Sequence, residues 1–327
     1  MPPADALNRR EFLTRTARAG ALLAAAGAVG YLTHDPSGPG PAQSGGQPEA
    51  LPDFSVPSAG RRLSIARGAD RVRTLGLALE ALGGIGAFIR RGDHVVLKVN
   101  AAFASPPVLS ATTHPLIVTE LSRLCLAAGA AAVTVTDNPI NDPASCFALT
   151  GIGPAARAAG AGVVLPAEAL FTEMTLKDAR LIRNWPIMTG PLAKAAKLIG
   201  IAPVKDHHRS GASMTMKNWY GLLGGRRNIF HQDVHTLIAE LALMVKPTLV
   251  ILDGTNTMMT NGPTGGSLAD LRQTHTLIAG TDHVAVDACG AALLDKRPAD
   301  LPFIAKAEAL GAGTADYRSL NPVEVSA

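Results

Sequence analysis

His207 and His231, together with Lys205 and Lys217, are the side chains in this chain best equipped for chemistry. An imidazole titrates near neutral pH, so each histidine can move a proton or ligate a divalent metal. A lysine can orient an anionic substrate or stabilise negative charge as it develops. These residues lie in two stretches, "KDHHRSGAS" at 205–213 and "MKNWYGLLGGRRNIFHQDVH" at 216–235. Both concentrate polar donors in a chain that is 47% hydrophobic and only 17% charged.

His231 and His235 stand four apart where a helix is expected to begin, a spacing that can chelate a metal. Gln232 follows His231 where a zinc protease would have Glu, so that hydrolytic scheme is unsupported. His231 precedes Val234 by three and extends the inward stripe of the expected helix, whereas His235 reads as a partly exposed flank. His207 with Asp206, and Asp253 from a later strand, add nitrogen and oxygen donors suited to zinc, iron, nickel or manganese. The expected metal ligands are therefore His207, His231 and Asp253, and the expected general bases are His207 or His231. Glycines 221, 224 and 225 and the guanidinium groups of Arg209, Arg226 and Arg227 could cradle a carboxylate or phosphate. Their spacing matches neither a P-loop nor a dinucleotide fingerprint, and a solvated loop is the alternative reading.

Elements capable of positioning these groups follow from the pattern of apolar runs. Strands are expected at 62–68, 93–100, "AAVTVTDN", 162–166, 196–204, 248–254 and 274–282, alternating with helical periodicities. One helix is expected over "TTHPLIVTELSRLCLAAGA", capped by Thr112 or Thr113, with Pro115 in its first turn and Gly129 at its end. Another runs from His231 to Lys246, burying Val234, Leu237, Ile238, Leu241 and Val245. Such alternation predicts an α/β fold with a mostly parallel sheet flanked by helices and a polar crevice at the carboxyl edge of the strands. Lys98 and Asn100, Asp137 and Asn138, Lys205 to His208, Asp253 and Gly254, and Thr281 and Asp282 each follow an apolar strand and are expected on that one rim. Asp282 also reads as an N-cap. "MTNGPTGG" at 259–266, with Gly262, reads as a mobile loop, a lid or a turn.

Composition narrows the function. Aromatics make up 4% of the chain, the net charge is +4, and no basic run is interleaved with stacking residues, which argues against a nucleic-acid role. Cys125, Cys146 and Cys289 lack any CxxC spacing, so an iron–sulfur cluster, a zinc ribbon and a disulfide framework are not expected, and the three read as small buried side chains.

The amino terminus carries an address. Arg9 and Arg10 precede Glu11, Phe12 and Leu13, and a run of Ala, Gly and Leu extends from Ala19 to Leu32. This resembles a twin-arginine export signal and implies delivery of a folded protein by the twin-arginine translocation machinery to the periplasm or cell envelope. The run is short of the ~20 apolar residues that cross a bilayer, so no stable membrane span is expected. "AAAGA" offers cleavage sites, and retention as an uncleaved anchor stays open. The expected division is a signal over 1–32, a Pro/Gly-rich tether over 33–60 and an α/β domain over 61–327.

From about Ser64 to Leu294 the chain resembles the family called domain of unknown function 362. That family's Lys-Pro-Asn motif corresponds to Lys98, Val99 and Asn100, and its Lys-Thr-His motif to Lys205, Asp206 and His207. Its Lys-Asn-x-x-Gly motif corresponds to Lys217, Asn218 and Gly221, and its later histidine to His231. "VILDGTNTMMTNGPTGG" and "LIAGTDHVAVDACGAALL" are similar to its Asp-Gly, Gly-Pro-Thr and Thr-Asp-x-Val-Ala-x-Asp segments. The expected ligand-binding residues are Lys98, Asn100, Lys205, Lys217, Asn218, Gly221, Asp253 and Gly262, at or beside the polar strand ends that would converge on one rim. Some members of the family carry a ferredoxin-like cysteine cluster that this chain lacks. The expectation is an exported protein that binds an anionic small molecule, with or without a divalent metal, and with or without an enzymatic reaction on it. The alternatives are a non-catalytic envelope binding or accessory protein, or a redox partner without its own cluster.

Overall fold

The computed structural model describes residues 9–33 and 50–327. It divides into two units, Met1–Ala42 and Gln43–Ala327. In the first, Arg9–Thr33 form helix α1, and among the described residues no helix is long and apolar enough to cross a membrane. Of the tether expected over 33–60, residues 34–49 lie outside the described residues. Its remainder is not free chain. Phe54 is buried, its amide donates to the Lys246 carbonyl, and its own carbonyl accepts from Thr248 Oγ1 at 2.6 Å, so the apolar side chains of 51–59 tie that stretch to the larger unit.

The larger unit is built on an eight-stranded sheet. In chain order its strands are β1 (Leu63–Arg67), β2 (His94–Lys98), β3 (Ala132–Thr136), β4 (Gly162–Val164), β7 (Lys197–Lys205), β8 (Leu249–Met258), β9 (Leu271–Gly280) and β10 (Val323–Ser326). A separate antiparallel pair, β5 (Phe171–Met174) and β6 (Trp185–Met188), sits in the long connection from β4 to β7. The spatial order is β10-β1-β9-β8-β7-β2-β3-β4, and every strand but β9 runs the same way. Alternation along the strands feeds two cores. Val250 and Leu252 of β8 face one, and Leu249 and Ile251 the other, as side chains of successive strand residues must.

Helices α2 (Arg71–Ala81), α3 (Pro115–Ala127), α4 (Pro143–Leu149) and α5 (Ile152–Ala158) follow β1, β2 and β3. Helices α6 (Thr215–Asn218) and α7 (Val234–Met244) join β7 to β8, and α8 (His283–Gly290) and α9 (Pro302–Ala309) follow β9. Ile117, Val118 and Leu121 of α3 pack on one face of the sheet, and Val234, Leu237, Ile238 and Leu241 of α7 on the other. The two crossovers leave neighbouring strands, β2 and β7, in opposite directions and over opposite faces. Such a reversal opens a crevice outside the carboxyl ends of that strand pair, where ligands of open α/β sheets bind.

Several elements depart from the sequence reading. The cap of α3 is His114, whose side chain accepts from Leu116 N, while Thr113 Oγ1 donates to Ile201 O at 3.0 Å and accepts from Asn100 N at 2.8 Å. Strand β8 does not stop at Asp253 but continues through an irregularity near Gly254 to Met258. Residues 259–270 close a hairpin to β9, which therefore runs antiparallel to β8, with Met258 opposite Leu271 and Val250 opposite Gly280. Thr281 and Asp282 consequently lie at the opposite edge of the sheet from the rim expected of them, with Thr281 Oγ1 accepting from Arg62 N before β1. Asp282 does cap α8, accepting from Val284 N and Ala285 N.

Candidate functional site

Beneath the crevice lies a buried ion pair. Lys98, at the end of β2, is fully buried and places Nζ 2.7 Å from Asp137 Oδ1 at the end of β3. Nζ also donates to Val99 O at 2.7 Å, Asn218 O at 2.8 Å and Asn218 Oδ1 at 3.3 Å. Asp137 Oδ2 accepts from Ala101 N at 2.6 Å, and Asn218 Nδ2 reaches Lys98 O and Ile201 O. Burial pushes the Lys98 pKa down, and the Asp137 carboxylate pulls against it. Lys98 and Asn218, expected as ligand-binding residues, thus have their hydrogen bonds consumed internally and tie α6 to the sheet. Gly221 belongs to the same knot. A Cβ there would meet Asp137 Oδ1 at 2.0 Å and Lys98 Nζ at 2.7 Å. Its lack of a side chain makes room for the ion pair rather than for an anion.

Above the knot stands a stack of three imidazoles. The His207 ring lies 5.0 Å from that of His208 and 5.8 Å from that of His231, with interplanar angles of 8° and 12°. His207 is buried, and its Nδ1 accepts from both Arg209 N and Ser210 N at 3.2 Å. Those two donors assign the proton of the neutral ring to Nε2. Burial, then the charges of Lys217, His208, His231 and Lys205, lower the His207 pKa to about 2, so the ring stays neutral. Its free nitrogen is therefore a donor and not a base.

His231 has the complementary arrangement. Tyr220 Oη donates its hydrogen to Arg227 O, which leaves Oη as an acceptor for His231 Nδ1–H at 3.1 Å, with Asn228 O at 3.2 Å as a second acceptor. The lone pair then falls on Nε2. Burial and the Lys217 charge lower this pKa also, while the bond to Asn228 O opposes them. One ring of the stacked pair can give a hydrogen bond at Nε2, and the other can accept a proton there.

His231 reaches this position from a 3-10 segment, Arg227–Asp233, rather than from the helix expected to start with it. Asp233 caps α7 through Thr236 N, so His231 and His235 do not share a helical face. His235 stacks instead on Phe303, with ring centroids 6.2 Å apart. Arg227, expected as a free anion fork, donates to Asn138 O, Pro139 O, Tyr220 O and Leu223 O and is structural.

Two lysines supply the charge. Lys217 is half-buried, with Nζ 5.1 Å from the centre of the Tyr220 ring, and burial followed by the Arg227 charge lowers its pKa to about 8. Lys205 is buried, donates to Ala111 O at 2.6 Å and lies over Phe103 at 5.3 Å. Among the described residues neither ammonium pairs with a carboxylate. Asn100, expected beside them, has a buried Oδ1 with no hydrogen-bond partner. Gly262 abuts the His207 loop, since a Cβ there would meet Asp206 O at 1.8 Å. The loop that carries it is strapped down by Asp270, which accepts from Thr260 Oγ1, Asn261 Nδ2 and Ser267 N, so it braces the site.

The expected metal set does not assemble. Asp253 faces the start of α2, where Arg71 Nε holds it at 2.9 Å and Thr255 N donates to its other oxygen. Among the described residues no group of three or more His, Cys, Asp or Glu is placed to hold a metal ion. His207 offers a hydrogen at Nε2 and Asp253 is already paired, so the donors present do not fit a divalent cation. The three cysteines are buried and free, as read from the sequence.

Sequence reasoning missed the roles of three contributors, the last of which it placed only as the final Asp of the Thr-Asp-x-Val-Ala-x-Asp segment. Tyr220 fixes the His231 tautomer, and its position as the aromatic between Lys217 and Arg227 was the available signal. Arg71 neutralises Asp253 from a helix start that carried no motif. Asp287 is buried, accepts from Thr215 N at 2.8 Å and Met216 N at 3.0 Å, and thereby anchors the turn that presents Lys217. Burial raises its pKa to about 7 against those hydrogen bonds.

The arrangement is that of an α/β protein with a cluster of cationic and imidazole side chains at a switch point of its sheet. The chain belongs to the family described as domain of unknown function (DUF362), whose model matches residues 95–292. It is also similar to "Thylakoid-associated protein sll1697" of Synechocystis sp., with 28% identity over 249 residues, covering 73% of this chain and 74% of that protein.

Proposed function

We propose that this protein binds an anionic small molecule in the crevice between the ends of β2 and β7 and performs proton transfer on it. The observation that carries this reading is a local excess of unpaired positive charge beside two neutral imidazoles of opposite hydrogen-bonding sense. Lys205 and Lys217 stand in a low-dielectric setting without carboxylate partners, an arrangement that costs free energy until an anion arrives. A carboxylate or phosphate on Lys217 would lie near His207, whose Nε2–H stabilises negative charge developing on an oxygen. His231 Nε2 accepts the proton.

Titration calorimetry with phosphate, pyruvate and succinate tests the binding. Saturable binding that is lost in Lys217→Met and His231→Ala supports the reading, and no saturable binding of any anion overturns it. Ligand turnover by the bound protein separates an enzyme from a receptor using the same crevice.

The protein is further proposed to reach the periplasm or cell envelope by twin-arginine export. The Arg9-Arg10 pair at the start of α1, ahead of the apolar run from Ala19 to Leu32, supports this, as does a relative whose name calls it thylakoid-associated. Replacing Arg9 and Arg10 by Lys should hold the folded protein in the cytoplasm, as read by cell fractionation.

A further inference from the structure

Two buried lysines of this protein live in very different surroundings. The Lys98 ammonium meets a carboxylate and two carbonyls at 2.7–2.8 Å, one acceptor for each of its hydrogens. Lys205 is 1% exposed, yet its Nζ has a single acceptor, Ala111 O at 2.6 Å, and the face of Phe103. Around it are more unmet polar atoms. Ser110 Oγ and Thr112 Oγ1 flank the carbonyl that Lys205 contacts, and with Asn100 Oδ1, hydrogen-bonded through its backbone to Thr113, they are buried without partners. Unpaired buried polar atoms are rare in folded proteins and each calls for a reason. Burial, followed by the neighbouring Lys217 charge, lowers the Lys205 pKa to about 7, so much of it is the free amine at neutral pH. Desolvation beside a second cation is how a lysine becomes a nucleophile.

We propose that Lys205 is a covalent anchor whose Nζ condenses with the carbonyl carbon of an anionic aldehyde or ketone, a 2-oxo acid being the simplest case, to form an imine. This rests on the reading that the crevice binds an anionic small molecule, and it names the class of that molecule. The amine lone pair adds to the carbonyl carbon while His207 Nε2–H donates to the oxygen that gains charge. The nitrogen gives up two protons in turn, each carried by His231 Nε2 to that oxygen: the first makes the carbinolamine hydroxyl, and the second expels it as water while the C=N bond forms. Amine and carbonyl become imine and water, with no oxidant or reductant. The orphaned Asn100, Ser110 and Thr112 atoms become partners for polar groups next to the carbonyl.

The test is reductive trapping. Full-length protein is incubated with pyruvate and cyanoborohydride near pH 7, digested, and its peptides weighed. The expected result is a near-stoichiometric reduced adduct on Lys205, suppressed by excess phosphate, with the exposed Lys177 and Lys194 labelled no faster than in denatured protein. Lys205→Arg should trap none, with folding checked by thermal melting. Mapping in the unmodified protein stands even if that variant fails to fold. Labelling of Lys205 no faster than of Lys177 and Lys194, while pyruvate still binds saturably, overturns the imine and leaves the anion reading intact. Absence of both trapping and anion binding overturns both.

Discussion

Replacing Gly221 by Ala should destabilise the protein by about 3 kcal/mol and weaken anion binding, because one methyl group would occupy the space of a buried ion pair. The new Cβ would stand 2.0 Å from Asp137 Oδ1 and 2.7 Å from Lys98 Nζ. Both neighbours are polar atoms that the fold already holds, Asp137 by Ala101 N and Asn138 N, and Lys98 by Val99 O and Asn218 O. Neither can yield without breaking hydrogen bonds in a site from which water is excluded. Losing one partner of a buried pair costs ~3–5 kcal/mol, and overpacking alone costs ~1–3 kcal/mol, so about 3 kcal/mol is the central expectation. Gly221 does not have a positive φ, so the whole effect is steric and electrostatic rather than backbone strain. For a folded unit of this size the loss corresponds to a fall in Tm of about 5 °C. Differential scanning calorimetry and urea unfolding would measure it. Gly266→Ala is the control, since nothing lies within 4 Å of a Cβ there, and its change should stay within about 0.5 kcal/mol. A loss below ~1 kcal/mol for Gly221→Ala would falsify the view that Lys98 and Asp137 form a tightly held knot beneath the crevice.

Three further outcomes are expected. Anion affinity should be full well below pH 8 and fall as the pH rises through that value, because Lys217, with its pKa lowered to about 8, loses the charge that binds the ligand; calorimetry from pH 6.5 to 9.5 should follow that fall, and Lys217→Met should show no saturable binding even at pH 6.5. Tyr220→Phe removes an acceptor from His231 Nδ1–H, so two-dimensional ¹⁵N spectra should show the ring's tautomers mixing, at a stability cost of about 1 kcal/mol. Arg71→Leu leaves the Asp253 carboxylate buried and unpaired, which should cost about 3 kcal/mol in urea unfolding; adding Asp253→Asn should recover much of that loss without altering anion affinity.

The amino-acid sequence by itself determined the α/β class, the identity of the polar strand ends and the membership of Lys98, Lys205, Lys217 and His231 in one family of motifs. These are local properties: β-branched runs such as "HVVLK", the 3.6 periodicity of α3 and α7, and polar residues that stop an apolar strand. Direction and partnership were not legible. Strand β9 has the same apolar pattern as its parallel neighbours, and only its hairpin pairing with β8 sends Thr281 and Asp282 to the far edge. His231 and His235 have a spacing that fits a chelating helix, yet the 3-10 turn before α7 rotates one ring onto His207 and leaves the other on Phe303. Lys98 and Lys205 read alike in sequence, but Asp137 pairs directly with the first, and among the described residues no carboxylate forms an ion pair with the second. Which nitrogen of each imidazole carries the proton, and which lysine remains reactive, depend on hydrogen-bond partners far along the chain or fixed by loop geometry. Tertiary structure alone decided them, because residue type sets what a group can do, whereas its charge state and availability are set by the atoms packed against it.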